Sequence, residues 1–345
     1  MPRGARKPSA NAGGRDPDAG YVSHRARVTC EFIESPALLW HSRDVVIAFF
    51  FLFGIVFGSF LNVCISRIPE GMSIVAPASR CPRCEQPIKA YDNVPLFGWL
   101  WLRGKCRSCG FPISPMYPLV ELLTGLLFVA CYLDFGFTQT SVKWLMFTCL
   151  IIVLTITDLR VRLLPDLVNW PGFVAGLFLS AVVPPDDGTA FFLSVNLFHR
   201  VPPTPLRGFL DGLIGAAFGS LLLWGAAKLY KVARGREGMG LGDVKMMAMV
   251  GAFLGLRGTF WTILLGTFLG SVIGGAIIVG LYASGWQLAL AERASRRSLG
   301  TINNLRWAIA SQYQLPLGTF LGIAALLVVY VGPFAEAYLT AKFLS

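Results

Sequence analysis

The stretch LMFTCLIIVLTITDLRVRLLPDLVNWP, residues 145–171, places a carboxylate at the end of a long apolar run. The residues from Leu145 to Thr157 carry no charge, and Asp158 follows them directly. Asp243, in GMGLGDVK, stands in the same way beside an apolar stretch that begins at Met246. An ionisable side chain at membrane depth is costly and usually has a function. The first hypothesis is therefore that Asp158 and Asp243 form an acid–base pair.

The composition indicates a polytopic membrane protein. Of the 345 residues, 54% are apolar and 14% are charged, whereas a soluble domain is about 25% charged. The mean hydropathy is positive, and several apolar runs approach the roughly 20 residues that span a bilayer. The predicted fold class is all-α, with about eight transmembrane helices and a small zinc-binding cytoplasmic insert.

The positions of basic residues predict the orientation of these helices. The expected spans lie near residues 45–65, 117–134, 142–158, 168–183, 208–230, 243–256, 260–282 and 316–334. Cytoplasmic loops of membrane proteins are enriched in Lys and Arg, and the loop 66–116 holds seven such residues. That face is therefore predicted to be cytoplasmic, and Asp158, Asp166 and Asp243 fall on it. Asp211 falls near the opposite face, and we assign it to structure.

Four of the eight cysteines form two Cys-x-x-Cys pairs, CPRC and CRSC. Each pair aims two thiolates at one point, and two pairs complete a tetrahedral zinc site. The reducing cytoplasm favours metal binding over disulfides. The predicted ligands of a structural zinc are Cys81, Cys84, Cys106 and Cys109. A redox pair and a zinc ribbon that binds nucleic acid are the alternatives.

Two carboxylates that share one proton can hydrolyse a peptide bond, because one activates water while the other protonates the carbonyl oxygen. Asp158 and Asp243 fall in different predicted helices, so they can face each other. The glycines before Asp243 would let an extended substrate strand lie close to it. A proton relay or ion site in a transporter is one alternative. Aspartates bonded to helix N-termini are another.

Two further acidic residues accompany the pair. Asp166 follows Pro165 and is predicted to lie in the first turn of the next helix, where it would complement the helix dipole. Glu121, in YPLVELLTG, is either a partner for a basic loop residue or part of a site.

Several segments, in their order along the chain, resemble the bacterial prepilin peptidases (type IV leader peptidases), a family of aspartyl proteases with a GxGD element. The segments are GSFLNVCISRIP (58–69), CPRC (81–84), YDNVPLFGWLWLRGKCRSC (91–109), ISPMYPLVELLTG (113–125), TDLRVRLLPDLVNWP (157–171) and GMGLGDVKMMAMVGAFLG (238–255). The resemblance implies cleavage of the basic leader from type IV prepilins or type II secretion pseudopilins. It places this activity at the cytoplasmic face of the bacterial inner membrane, with Asp158 and Asp243 as the catalytic residues.

The resemblance also implies N-methylation of the new N-terminus with S-adenosylmethionine. That activity belongs to the N-terminal cytoplasmic region of the family, and Gly104 and Lys105 are candidates for it here. The expected partners are the prepilin or pseudopilin substrate and membrane lipid, with no nucleic acid. Near the last span, Gly318-Thr319-Phe320 stands where the family often has Gly-Pro-Phe or Gly-Pro-Tyr.

The domain organisation expected from these patterns has three parts. Residues 1–43 are predicted to be a disordered tail. Residues 44–134 form an N-terminal region with the zinc-binding loop 66–116. Residues 135–345 form a membrane-embedded aspartyl peptidase domain. A proton-coupled transporter and a non-catalytic membrane assembly factor are the competing functions.

Overall fold

The computed structural model describes residues 36–185, 187–199, 201–235, 238–283 and 316–343. Most of the predicted tail, residues 1–35, lies outside these ranges. The chain divides into two units, Met1–Val46 and Ile47–Ser345, and the fold below is that of the second. The helices are α1 (Pro36–Arg67), α2 (Phe97–Trp101), α3 (Met116–Phe135), α4 (Gln139–Val161), α5 (Asp166–Val182), α6 (Thr189–Phe198), α7 (Thr204–Arg234), α8 (Leu241–Ala283), α9 (Leu317–Tyr330) and α10 (Gly332–Phe343).

Five of the described helices, α1, α3, α4, α7 and α8, are long and apolar enough to cross a membrane. The helices α5 and α9 are apolar but shorter, with 17 and 14 residues. The all-α polytopic class predicted from the sequence is confirmed. The number of eight spans stays a prediction, because only five of the described helices have the length and composition of a membrane span.

Helix α8 has 43 residues and breaks at Gly255, where φ is 73° and ψ is −170°. The two spans predicted near 243–256 and 260–282 correspond to its two halves. Two backbone groups near the break are hydrogen-bonded to α5 and to the segment between α5 and α6 instead of to their own helix. The N–H of Arg257 donates to Asp187 at 3.1 Å, and the hydroxyl of Ser180 donates to the carbonyl of Ala252 at 2.7 Å. Both sides of the break are thus hydrogen-bonded, as buried backbone groups must be.

Helices α7 and α8 meet backbone to backbone along a glycine seam, formed by Gly212, Gly215 and Gly251 with Gly255. A Cβ on Gly212 would lie 2.8 Å from the carbonyl oxygen of Ala252, and a Cβ on Gly215 would touch the backbone of Gly255. Small residues allow such close approach between membrane helices. The seam fixes the first half of α8 against α7.

Helix α1 packs on α3 through the glycines of a GxxxG pair, Gly54 and Gly58. A Cβ on Gly54 would lie 2.7 Å from the Cα of Gly125, and a Cβ on Gly58 would lie 2.7 Å from the Cα of Glu121. One turn further along α1, the amide of Asn62 donates to a backbone carbonyl in the first turn of α3 at 2.9 Å. These contacts hold together the two helices between which the cysteine-containing loop runs.

Candidate active site and metal centre

The carboxylates of Asp158 and Asp243 converge on the start of α9. Asp158 lies in the last turn of α4 and is 6% exposed, and Asp243 lies in the first turn of α8. A Cβ built on Gly318 would be 2.9 Å from Oδ2 of Asp158 and 3.0 Å from Oδ1 of Asp243. Both carboxylate oxygens therefore lie within about 3 Å of one point beside Gly318, which brings them close enough together for a single water molecule to bridge them.

The first turn of α9 supplies hydrogen-bond donors to this pair. The backbone N–H of Thr319 donates to Oδ2 of Asp158 at 2.7 Å, and its hydroxyl donates to the same oxygen at 3.0 Å. The backbone N–H groups of Gly240 and Gly318 approach Asp243. Negative charge is favoured at a helix N-terminus, so this environment suits a pair that carries one shared proton and one negative charge.

The sequence predicted the two aspartates as site residues, whereas Gly318 and Thr319 were noted only as a departure from the family pattern near the last span, with no role in the site. Both follow Pro316 at the beginning of a predicted span, which is an ordinary helix start. Only the close approach of α9 to α4 gives them a place beside the carboxylates. The sequence feature that could have indicated them is the pair of small residues at the start of the last span. Small residues there leave space for a neighbouring side chain.

Asp166 lies at the first position of α5, as predicted. Its carboxylate is outside the pair and accepts two hydrogen bonds from Lys245 of α8, at 2.7 and 2.8 Å. This ion pair joins α5 to the first turns of α8. The sequence placed the helix start correctly but gave no sign of the lysine partner.

Asp211 lies apart from the pair, in the second turn of α7. It is fully buried, and one oxygen accepts the hydroxyl of Thr189 at 2.7 Å and the N–H of Ala190 at 2.6 Å. It thereby satisfies donors in the first turn of α6. Burial raises the pKa of its neighbour Asp187, whose carboxylate binds the second half of α8. These contacts agree with a structural role for Asp211.

The four predicted cysteine ligands come together. Their sulfur atoms all lie within 4.8 Å of one another, with 3.7 Å between Cys81 and Cys109 and 4.0 Å between Cys84 and Cys106. Four thiolates around a zinc ion at about 2.3 Å would be about 3.8 Å apart. The arrangement therefore fits a tetrahedral zinc ion, and a closed four-thiolate site of this kind has no open position for catalysis.

The two halves of this cysteine cluster repeat one backbone conformation. In each half the N–H of the first cysteine donates to a carbonyl five residues on, Cys81 to Gln86 at 3.0 Å and Cys106 to Phe111 at 2.8 Å. Each half also contains a residue with positive φ, Glu85 at 56° and Gly110 at 68°. The turns therefore aim both pairs of sulfurs at the same point.

The Cys81 thiol is prepared to bind a metal. The backbone N–H groups of Cys84 and Arg83 point at its sulfur and lower the pKa of the thiol. Metal ions bind the thiolate form, so a lowered pKa reduces competition from protons at neutral pH.

We expect Cys81→Ser to lose the metal and to loosen the loop between α1 and α3. A hydroxyl is a poor substitute for a thiolate at zinc, and a structural zinc site contributes directly to folding. Elemental analysis of the purified protein should fall from about one zinc per chain to a small fraction. Cys149→Ser is the matched control, because Cys149 is a free cysteine in α4, outside the cluster. Unchanged zinc content in Cys81→Ser would refute the assignment.

The loop is also anchored to the membrane helices through Glu121. Its carboxylate is buried in α3 and accepts the backbone N–H of Leu96 at 2.7 Å. Glu121 therefore binds the backbone of the loop, and not a basic side chain as one of the two interpretations from the sequence had it. Gly104 has a φ of 68°, and a Cβ there would lie 2.9 Å from the ring of Trp99. Gly104 thus has a packing reason to be glycine.

Two known sequence families match the chain. The one described as the Bacterial Peptidase A24 N-terminal domain matches residues 52–135, and the one described as the Type IV leader peptidase family matches residues 145–279. The first includes the cysteine cluster, and the second includes both carboxylates of the pair. No solved structure is significantly similar to the chain.

Three relatives, each named a prepilin leader peptidase/N-methyltransferase, show the extent of the similarity. The Klebsiella pneumoniae protein is 37% identical over 241 residues, which cover 68% of this chain and 94% of the relative. The Aeromonas hydrophila protein is 36% identical over 253 residues, covering 66% and 80%. The Myxococcus xanthus protein is 42% identical over 227 residues, covering 66% of this chain and 61% of that relative. The chain belongs to the type IV leader peptidase family.

Proposed function

We propose that this protein is an aspartic endopeptidase that removes the basic leader peptide from type IV prepilins or type II secretion pseudopilins. The observation that carries the proposal is the meeting of Asp158 and Asp243 on either side of the space beside Gly318. Family membership and the names of the relatives support the same activity.

The pair would act on a water molecule held between the two carboxylates. The charged carboxylate takes a proton from the water, whose oxygen attacks the carbonyl carbon of the peptide bond. The protonated carboxyl gives its proton to the carbonyl oxygen. In the second step the first carboxyl returns its proton to the amide nitrogen as the C–N bond breaks. The second takes back the hydroxyl proton, which restores the pair.

The substrate chemistry fits a site at the ends of membrane helices. A prepilin has a short basic leader followed by an apolar helix, so its cleavage site lies where the membrane meets the cytoplasm. Asp158 is in the last turn of α4 and Asp243 in the first turn of α8, so both occupy helix ends. The excess of Lys and Arg in the loop 66–116 supports a cytoplasmic orientation of this face. Anionic lipid there would attract the leader.

We further propose that the N-terminal region transfers a methyl group from S-adenosylmethionine to the new N-terminal amine. The names of the relatives and the matched N-terminal domain support this second activity. Gly104 and Lys105, which directly precede the second cysteine pair, remain candidates for this function. Zinc bound by the four cysteines would supply the loop with a fixed structure and no chemistry of its own.

The direct test is cleavage of a model prepilin with a basic leader, a terminal leader glycine and an apolar helix. The protein in proteoliposomes should release the leader, and mass spectrometry should place the cut at the leader boundary. A precursor that remains intact would overturn the proposal. A proton-coupled transporter would instead show uptake driven by a pH gradient. An assembly factor would leave the precursor uncut and would need only the zinc-binding loop.

A further inference from the structure

We propose that Thr319 is a positioning residue that keeps Asp158 as the charged, water-activating member of the carboxylate pair, an assignment that rests on the proposed peptidase activity. Thr319 lies in the first turn of α9, 161 positions from Asp158, so no local sequence pattern around Asp158 includes it. Both of its donors, the backbone N–H at 2.7 Å and the hydroxyl at 3.0 Å, meet the same oxygen of Asp158.

The backbone donor is available without loss of helical hydrogen bonds. The first N–H groups of any helix have no partner within the helix, and Thr319 is the third residue of α9. Its N–H is therefore satisfied by Asp158, and Asp158 is in turn held facing the space beside Gly318. The charged form of a carboxylate gains most from such a donor.

The hydroxyl donor has a choice of acceptor. It lies 3.0 Å from Oδ2 of Asp158 and 3.4 Å from the backbone carbonyl of Thr155, one turn earlier on α4. A hydroxyl has a single proton to donate. It bonds to Asp158 when that carboxylate is charged, and it can turn to the Thr155 carbonyl when Asp158 has taken a proton from water. The acceptor of the Thr319 hydroxyl thus changes with the protonation state of Asp158.

The environment of Asp243 differs from that of Asp158. Asp243 is half-buried and meets the backbone N–H groups of Gly240 and Gly318, with no side-chain hydroxyl among these donors. The repulsion between the two carboxylates is mutual, and at Asp158 the positive charge of Arg162 adds to the effect of the Thr319 donors. Two like charges at this distance are unfavourable. Asp243 is therefore the member that keeps the shared proton and gives it to the substrate carbonyl.

The test is the pH dependence of kcat for model prepilin cleavage by the full-length protein in proteoliposomes. Thr319→Val removes the hydroxyl and keeps the shape, Thr319→Ser restores a hydroxyl, and Thr319→Pro removes both donors at a helix position that tolerates proline. We expect the acidic limb of the profile to move to higher pH by roughly one unit in the valine variant and further in the proline variant. The serine variant should retain the wild-type limb.

Thr148→Val is the matched control. Thr148 is buried on the same helix as Asp158, and its hydroxyl bonds to that of Tyr330 in α9 at 2.6 Å. The change therefore removes a hydroxyl from the same α4–α9 interface without touching a carboxylate. It should lower the thermal stability and leave the pH profile in place.

The outcomes separate this inference from the proposed function. A wild-type protein that cleaves nothing would end both. A wild type that cleaves, with Thr319→Val matching its pH profile or Thr148→Val showing the same shift, would overturn the role of Thr319 alone. If the proline variant does not accumulate, the comparison of valine with serine decides.

Discussion

Asp158→Asn and Asp243→Asn are each expected to abolish cleavage of a model prepilin, with a fall in kcat of roughly four orders of magnitude. Asparagine keeps the size of the side chain but can neither take a proton from water nor return one to the substrate. Because each carboxylate has its own proton transfer in the proposed mechanism, either change alone should remove the activity. The measurement is a time course of leader release at saturating substrate.

Asp134→Asn is the matched control for this pair. Asp134 lies in the last turn of α3, is exposed, and stands at the end of α3 opposite the cysteine loop. The same chemical change should leave the rate within about twofold of wild type, as for most surface substitutions. Processing at a near wild-type rate by either Asp158→Asn or Asp243→Asn would show that the carboxylates do not act as a pair.

Gly318→Ala is expected to have the second largest effect, a loss of at least about a hundredfold in kcat. The added methyl would lie 2.9 Å from Oδ2 of Asp158 and 3.0 Å from Oδ1 of Asp243, in contact with both carboxylates, and would narrow the space that a bridging water molecule needs. The backbone N–H remains, and alanine favours helix more than glycine does. The fold should therefore persist while the water is displaced.

Gly225→Ala provides the comparison, because a Cβ at that position of α7 has no heavy atom within 4 Å. Both alanine variants should be extracted and purified in similar yield, with similar thermal transitions. A fully active Gly318→Ala would mean that the reacting water lies elsewhere. Loss of folding in Gly318→Ala would show as a lowered melting temperature, which the Gly225→Ala value calibrates.

The sequence predicted those features that depend on local patterns. The apolar runs gave the helices, because burial in lipid requires long apolar segments whatever the neighbours are. The spacing of the cysteines gave the metal cluster, because two thiolates on one turn share a direction. Asp158 and Asp243 were visible because a carboxylate at the end of an apolar run is rare enough to require an explanation.

The features that the sequence did not predict depend on contacts between distant residues. The hydrogen bonds from Thr319 to Asp158 join residues 161 positions apart. The spacing of apolar residues along the sequence does not predict such a contact. The break at Gly255 was interpreted as a short connection between two spans. Its geometry depends on Asp187 and Ser180, which bind the groups it releases. The role of Glu121 could not be predicted because its partner is a backbone N–H, a group that no sequence pattern distinguishes from the others.

The close contact between α7 and α8 has a consequence for the entry of a substrate helix. A prepilin helix that arrives from the lipid must pass sideways between two helices before its cleavage site reaches the aspartates. Side chains rotate within picoseconds to nanoseconds, whereas packed helices move as bodies on far longer timescales. Since Gly212 and Gly215 have no side chain to swing aside, parting α7 from α8 would require a movement of whole helices.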